Sequence, residues 1–171
     1  MSRPDPRQAP TPAALSASTR SRLESQLEAL DALVALGPPE SFDVRPPSGE
    51  WSARENLAHL ARHAEVFLER LERILHEDRP DLGRYSAERD PGWPAWADRP
   101  LADVLARLRE VRSRLLRWVA GLGAGALGRT GRHPTLGELT VPEWLEFFLL
   151  HEAHHLYTAL VRVGEASRRP R

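Results

Sequence analysis

The 171-residue chain contains no cysteine. That excludes thiolate metal sites, a cysteine nucleophile and a disulfide framework, and it leaves histidine and carboxylate as the strong protein ligands. Lysine is equally absent: all 24 basic residues are arginine, so Schiff-base catalysis by a lysine side chain is excluded as well. Isoleucine occurs once, at Ile74, and with the missing lysine this is compositional drift without functional content. Net charge is lacking too. The 24 basic residues are balanced by 24 acidic ones at a pI near 7.1, which gives no electrostatic case for nucleic acid or an anionic membrane as a partner. No apolar run approaches the roughly 18 residues that span a bilayer, and Met1-Ser2-Arg3-Pro4-Asp5-Pro6 lacks the apolar core of a signal peptide. A soluble, cytoplasmic protein is the resulting expectation. No segment alternates with a period of two for long enough to predict a sheet.

What the chain does contain is helical periodicity. Its length suits one domain with a core that needs no staples. Residues 1–12 are proline-rich and predict a disordered lead-in, residues 13–165 the domain, and residues 166–171 an arginine-rich, solvated tail. A first helix starts at Thr11-Pro12 or Ser16, carries Leu15, Leu23, Leu27, Leu30, Leu33 and Val34 inward, and ends at Gly37-Pro38-Pro39. The second opens at a capping box, Ser52-Ala53-Arg54-Glu55, and runs to about Glu77. Leu57, Leu60, Ala64, Phe67, Leu68, Leu71, Ile74 and Leu75 are its inward residues, with arginines and glutamates covering the outside. Residues 78–97 form a loop carrying Tyr85, Trp93 and Trp96, either a cover over a substrate or a plug for one end of the molecule. A third helix opens near Asp98, with Pro100 in its first turn, and stops at Gly121. A glycine-rich connection follows. Thr140-Val141-Pro142-Glu143 is a second capping box and starts a fourth helix ending near Val163-Gly164. Four amphipathic helices of about 20 residues predict an all-α four-helix bundle.

The chemistry concentrates in the fourth helix, where His151, His154 and His155 interrupt an apolar run. Residues four apart share a helix face with Cβ atoms roughly 6 Å apart, so His151 and His155 can each place a ring nitrogen near one metal ion, whereas His154 points elsewhere. They lie on the stripe of Trp144 and Phe148 and are expected to be buried. An open metal site takes three protein ligands. His59, between Leu57 and Leu60 on the inward side of the second helix, is the best third candidate, and His63 lies one turn further on the same face. The competing reading is that each pair is packed core or surface, in which case the imidazoles need other partners.

Trp51-Ser52-Ala53-Arg54-Glu55-Asn56-Leu57-Ala58-His59-Leu60 resembles the opening of the second helix in DinB/YfiT-like proteins. Gly131 to Thr140, and Trp144 to His155 after it, resemble the end of that family. The resemblance implies a four-helix bundle of the DinB/YfiT-like type with a divalent metal, zinc or nickel first in expectation, held by His59, His151 and His155. It also implies a small-molecule substrate, a low-molecular-weight thiol among the options, since the family includes thiol-dependent S-transferases. Relatives carry Arg-Gly-Gln after the last ligand where this chain has Leu156-Tyr157-Thr158, a departure that concerns the substrate pocket.

His151-Glu152-Ala153-His154-His155 also satisfies the HExxH pattern of zinc proteases. Sixteen residues follow His155, without the further ligand motif of one such group and without a predicted strand to hold a peptide, so Glu152 is expected to support a ligand or tie helices together. Two functions follow: a metal-dependent enzyme that activates a water or thiol nucleophile, of the S-transferase or hydrolase class, or a non-catalytic stress-related metal-binding module whose ion clips the second and fourth helices together. A homodimer is left open.

Overall fold

In the computed structural model, which describes residues 14–168, four long helical segments form the bundle. The predicted lead-in over residues 1–12 and the tail residues 169–171 lie outside the described residues. Among the described residues no helix is long and apolar enough to cross a membrane.

The first helix starts at Ser16, whose Oγ accepts the Thr19 N–H at 3.0 Å. Contrary to the single helix expected, it is two: α1 (Ala17–Ser25) and α2 (Ala29–Val34), joined by a 3-10 turn over Gln26–Glu28. The break coincides with Gln26 turning inward, where its amide donates to the Leu149 carbonyl at 3.0 Å and to Glu152 Oε1 at 2.8 Å. Leu27 is consequently only half-buried and Val34 is exposed.

Helix α3 (Ala53–His76) begins at the predicted capping box: Glu55 N donates to Ser52 Oγ and Ser52 N to Glu55 Oε2. A short helix, α4 (Trp93–Ala97), occupies the expected loop, so Asp98 closes α4 and does not open the next element. Pro100 instead caps α5 (Leu101–Ala120). Trp96 is buried and Trp93 packs 5.0 Å from Trp51.

The connection expected to lack strands holds a one-turn helix, α6 (Ala124–Leu127), and an antiparallel hairpin of β1 (Thr130–His133) and β2 (Gly137–Thr140). Arg132 also bridges the α3–α4 loop, donating its N–H to the Pro80 carbonyl and accepting from Leu82 N, both at 2.9 Å. Gly131 makes this close approach possible, because a Cβ there would lie 2.8 Å from Ile74 and 2.9 Å from Leu82. Trp144 Nε1 donates to the Gly131 carbonyl at 3.2 Å and fastens the hairpin to α7 (Val141–Ser167), which runs about a turn beyond the expected end. Helix α3 is central, packed against both α5 and α7.

Candidate metal centre

The pairing of α3 with α7 brings together the three histidines singled out above. One ligand atom each from His59, His151 and His155 lies within 4.8 Å of the other two. The Nε2 atoms of His59 and His151 are 3.3 Å apart. That separation is the edge of a tetrahedron whose corners sit roughly 2.0–2.1 Å from a shared centre, the usual metal–imidazole distance. The donor set, three imidazoles without thiolate or carboxylate, suits a borderline divalent cation. His63 falls outside this set; it is buried, with its ring centroid 4.0 Å from that of His151. His154 is exposed.

Burial is uneven, against the expectation of fully buried imidazoles. His59 is buried at 7% exposure, whereas His151 and His155 are half-buried because they open onto a cavity of about 820 Å³. The cavity is walled by α3, α7, residues 84–89 of the loop and the hairpin residues His133, Thr135 and Leu136. Trp51 closes it beside the triad, 5.0 Å from the His59 ring and 6.3 Å from that of His155. Tyr85 donates to Asp90 Oδ2 at 3.1 Å, and Asp90 accepts from Arg62 of α3 at 2.6 Å, which fixes the loop over the site. Trp93 and Trp96 do not line the cavity, so the covering residues are those before them.

Electrostatics keep the imidazoles neutral. Burial pushes His59 down to about 4, opposed weakly by the Glu88 carboxylate. Burial, and then the neighbouring His59, take His151 down to about 3. His155 falls to about 2, through burial first and His151 next. Neutral imidazole is the form that binds metal.

Asn56 is the residue that sequence reasoning passed over. Its Nδ2 donates to the carbonyls of Ser52 at 2.8 Å and Trp51 at 3.3 Å, so its Oδ1 faces His155 Nδ1 at 2.8 Å. An amide oxygen only accepts, hence His155 carries its proton on Nδ1 and presents a bare Nε2. The available signal was an asparagine on the inward side of an otherwise apolar turn, three residues before His59. The Nδ1 atoms of His59, His63 and His151 are buried without a protein partner among the described residues.

Glu152 points the other way. It is 2% exposed, accepts from Arg112 of α5 and from Gln26, and so ties three helical segments together on the far side of α7. This leaves it no place as a base at the triad. Arg70, expected on the outer surface of α3, is buried at 8% exposure and lines the cavity.

A helical bundle with a histidine triad at the mouth of a cavity defines the class of this molecule. A family model described as the DinB superfamily matches residues 19–159, and the chain belongs to that superfamily. It is similar to the uncharacterized protein YuaE of Bacillus subtilis (strain 168), at 30% identity over 148 residues, covering 78% of this chain and 89% of the relative. Among solved structures it is similar to YfiT from Bacillus subtilis, described as a probable metal-dependent hydrolase with an unusual four-helix bundle topology. The TM-score is 0.70 at 23% identity, covering 96% of this chain and 92% of that one, and it establishes the shared fold.

Proposed function

We propose that this protein is a metal-dependent enzyme in which His59, His151 and His155 hold one divalent ion, zinc or nickel, next to a small-molecule site. The observation that carries the reading is that all three imidazoles line the cavity, two of them half-exposed to it, where a structural clip would be closed off. When bound, such an ion lowers the pKa of a water or thiol and makes it a nucleophile at neutral pH. The chain's own part is to supply neutral nitrogens and to shield them. Asn56 holds His155 in the tautomer with Nε2 bare, Trp51 excludes water from one flank, and the Tyr85–Asp90–Arg62 chain keeps the covering loop in place. A small thiol is a fitting co-substrate, as for the S-transferases of the family, and hydrolysis uses the same centre with water in its place. The resemblance of fold to a probable metal-dependent hydrolase supports this class of chemistry.

The test is metal content, by mass spectrometry, of protein purified without a histidine tag, for wild type and His155→Ala. About one equivalent in the wild type, lost in the variant, is the expected result. Absence of metal after reconstitution with zinc and with nickel would sink the proposal.

A further inference from the structure

The cavity continues along α3 past His63 to Arg70, seven residues and therefore roughly 10 Å further along the helix axis. Arg70 differs from the other deeply buried arginine. Arg112, at 6% exposure, is paired with Glu152, but Arg70, at 8%, has no carboxylate partner among the described residues. Its Nη2 donates to the Gly83 carbonyl, and its guanidinium lies 5.9 Å from the centroid of the Trp144 ring. A buried, unpaired guanidinium is costly unless something of opposite charge completes it. The cavity lining adds two exposed arginines, Arg84 and Arg89, against a single carboxylate, Glu88, which sits toward His59 at the opposite end.

We propose that Arg70 receives a carboxylate of the substrate, which makes the substrate a small organic acid whose charged end lies at the opposite end of the cavity from its reacting atom. The position of the reacting atom rests on the metal-dependent reading above; the assignment of the charge rests on Arg70 alone. One buried guanidinium balances one carboxylate and presents a planar fork to it, whereas a phosphate dianion would leave a charge uncompensated at this depth. The proposal also gives a use to the apolar stretch between the two ends, where Phe147 and Leu136 line the wall against an aliphatic or aromatic spacer.

The experiment uses ω-mercaptocarboxylates of increasing chain length, each paired with its primary amide and with the ω-mercaptoalkyl phosphate. Binding to the full chain is followed by tryptophan fluorescence, with and without zinc. In wild-type protein the acid binds at least about tenfold tighter than the amide at the optimal length. Arg70→Gln removes that preference, the acid and its amide then binding alike, and Arg84→Gln leaves the preference in place. Equal binding of acid and amide to the wild type, or an undiminished preference in Arg70→Gln, overturns the proposal, as does tighter binding of the phosphate. The comparison of ligands within the wild type does not depend on the variant folding. The acid preference is also readable without zinc, so a protein that binds no metal but prefers acids separates failure of the metal reading from failure of this one.

Discussion

Asn56→Ala is the perturbation that isolates the protein's control over its candidate ligands. The side chain is 3% exposed and makes no contact with solvent that could stand in for it. Removing it frees His155 Nδ1–H from its 2.8 Å acceptor, so the ring can rotate and can take up the other tautomer, with Nε2 protonated. Loss of such a supporting hydrogen bond weakens metal binding by about 10–100-fold, or about 1.4–2.8 kcal/mol. The fold is expected to survive: the Ser52 carbonyl still accepts the backbone N–H of residue 56, at 3.1 Å in the wild type, so the first turn of α3 keeps its ladder. Asn56→Asp is the companion. It keeps an acceptor for His155 and strengthens it, but places a carboxylate oxygen where an N–H₂ now faces the Ser52 and Trp51 carbonyls. Zinc affinity is therefore retained while the metal-free protein melts earlier. The assay is competitive titration against a chromophoric chelator, with circular dichroism to verify folding. A folded Asn56→Ala that binds zinc as tightly as wild type refutes the reasoning.

Three further outcomes are expected. His59 is held at about 4 in the native state against about 6.5 in the unfolded chain, so the unfolded chain takes up its proton first and stability, complete above pH 6.5, falls as pH drops toward 4. At pH 5 this amounts to about 2 kcal/mol from His59, with smaller, solvent-screened shares from His151 and His155; a melting temperature of the metal-free protein that stays flat from pH 6.5 to 5 contradicts it. The same depression means that protons compete for the triad only well below pH 6.5, so zinc is retained further into acid than unperturbed histidines would allow, and release near pH 6.5 in a chelator titration would show that the imidazoles are not held neutral. Glu152→Gln strips a buried charge from Arg112 and lowers stability by about 3–5 kcal/mol in urea melts without changing metal stoichiometry; intact stability with lost hydrolytic activity would instead restore Glu152 as a base.

How far the chain could be read depended on whether the signal was local. The two capping boxes were legible because Ser52 with Glu55, and Thr140 with Glu143, are three residues apart and close on themselves. His151 and His155 share a face by helical spacing alone, and His59 joins them once α3 and α7 lie side by side. The hairpin was not legible, since strands of four residues give a period of two too little length to register. Nor was the break in the first helix: the apolar spacing runs through residues 26–28 unchanged, and the turn tightens where Gln26 reaches α7, more than 120 residues away in sequence. Pro100 as cap was hidden because the helix that ends at Ala97, with Asp98 as its C-cap, is itself only five residues long. Arg70 misled for a different reason. In a helix that also carries Arg54, Arg62 and Arg73 it bears no mark of its own, and it is covered where the loop held by the Arg132 bridge brings the Gly83 carbonyl onto its guanidinium.

That bridge links the fold to the chemistry. Gly131 sits where a Cβ would strike Ile74 and Leu82, and its carbonyl receives Trp144, so the hairpin, the loop start and α7 meet at one point at the Arg70 end of the cavity. A methyl group there, in Gly131→Ala, has to displace packed aliphatic carbons at 2.8 and 2.9 Å and costs about 1–3 kcal/mol. Displacement of the hairpin also carries Leu136 and His133 away from the cavity wall while the triad, held by α3 and α7 about two to three turns further along, stays assembled. The variant is therefore expected to bind zinc like the wild type but to bind a mercaptocarboxylate more weakly, a split that chelator competition and fluorescence titration measure separately. Loss of both together would mean that the triad depends on the hairpin, and that the division of the cavity into a metal end and a recognition end is wrong.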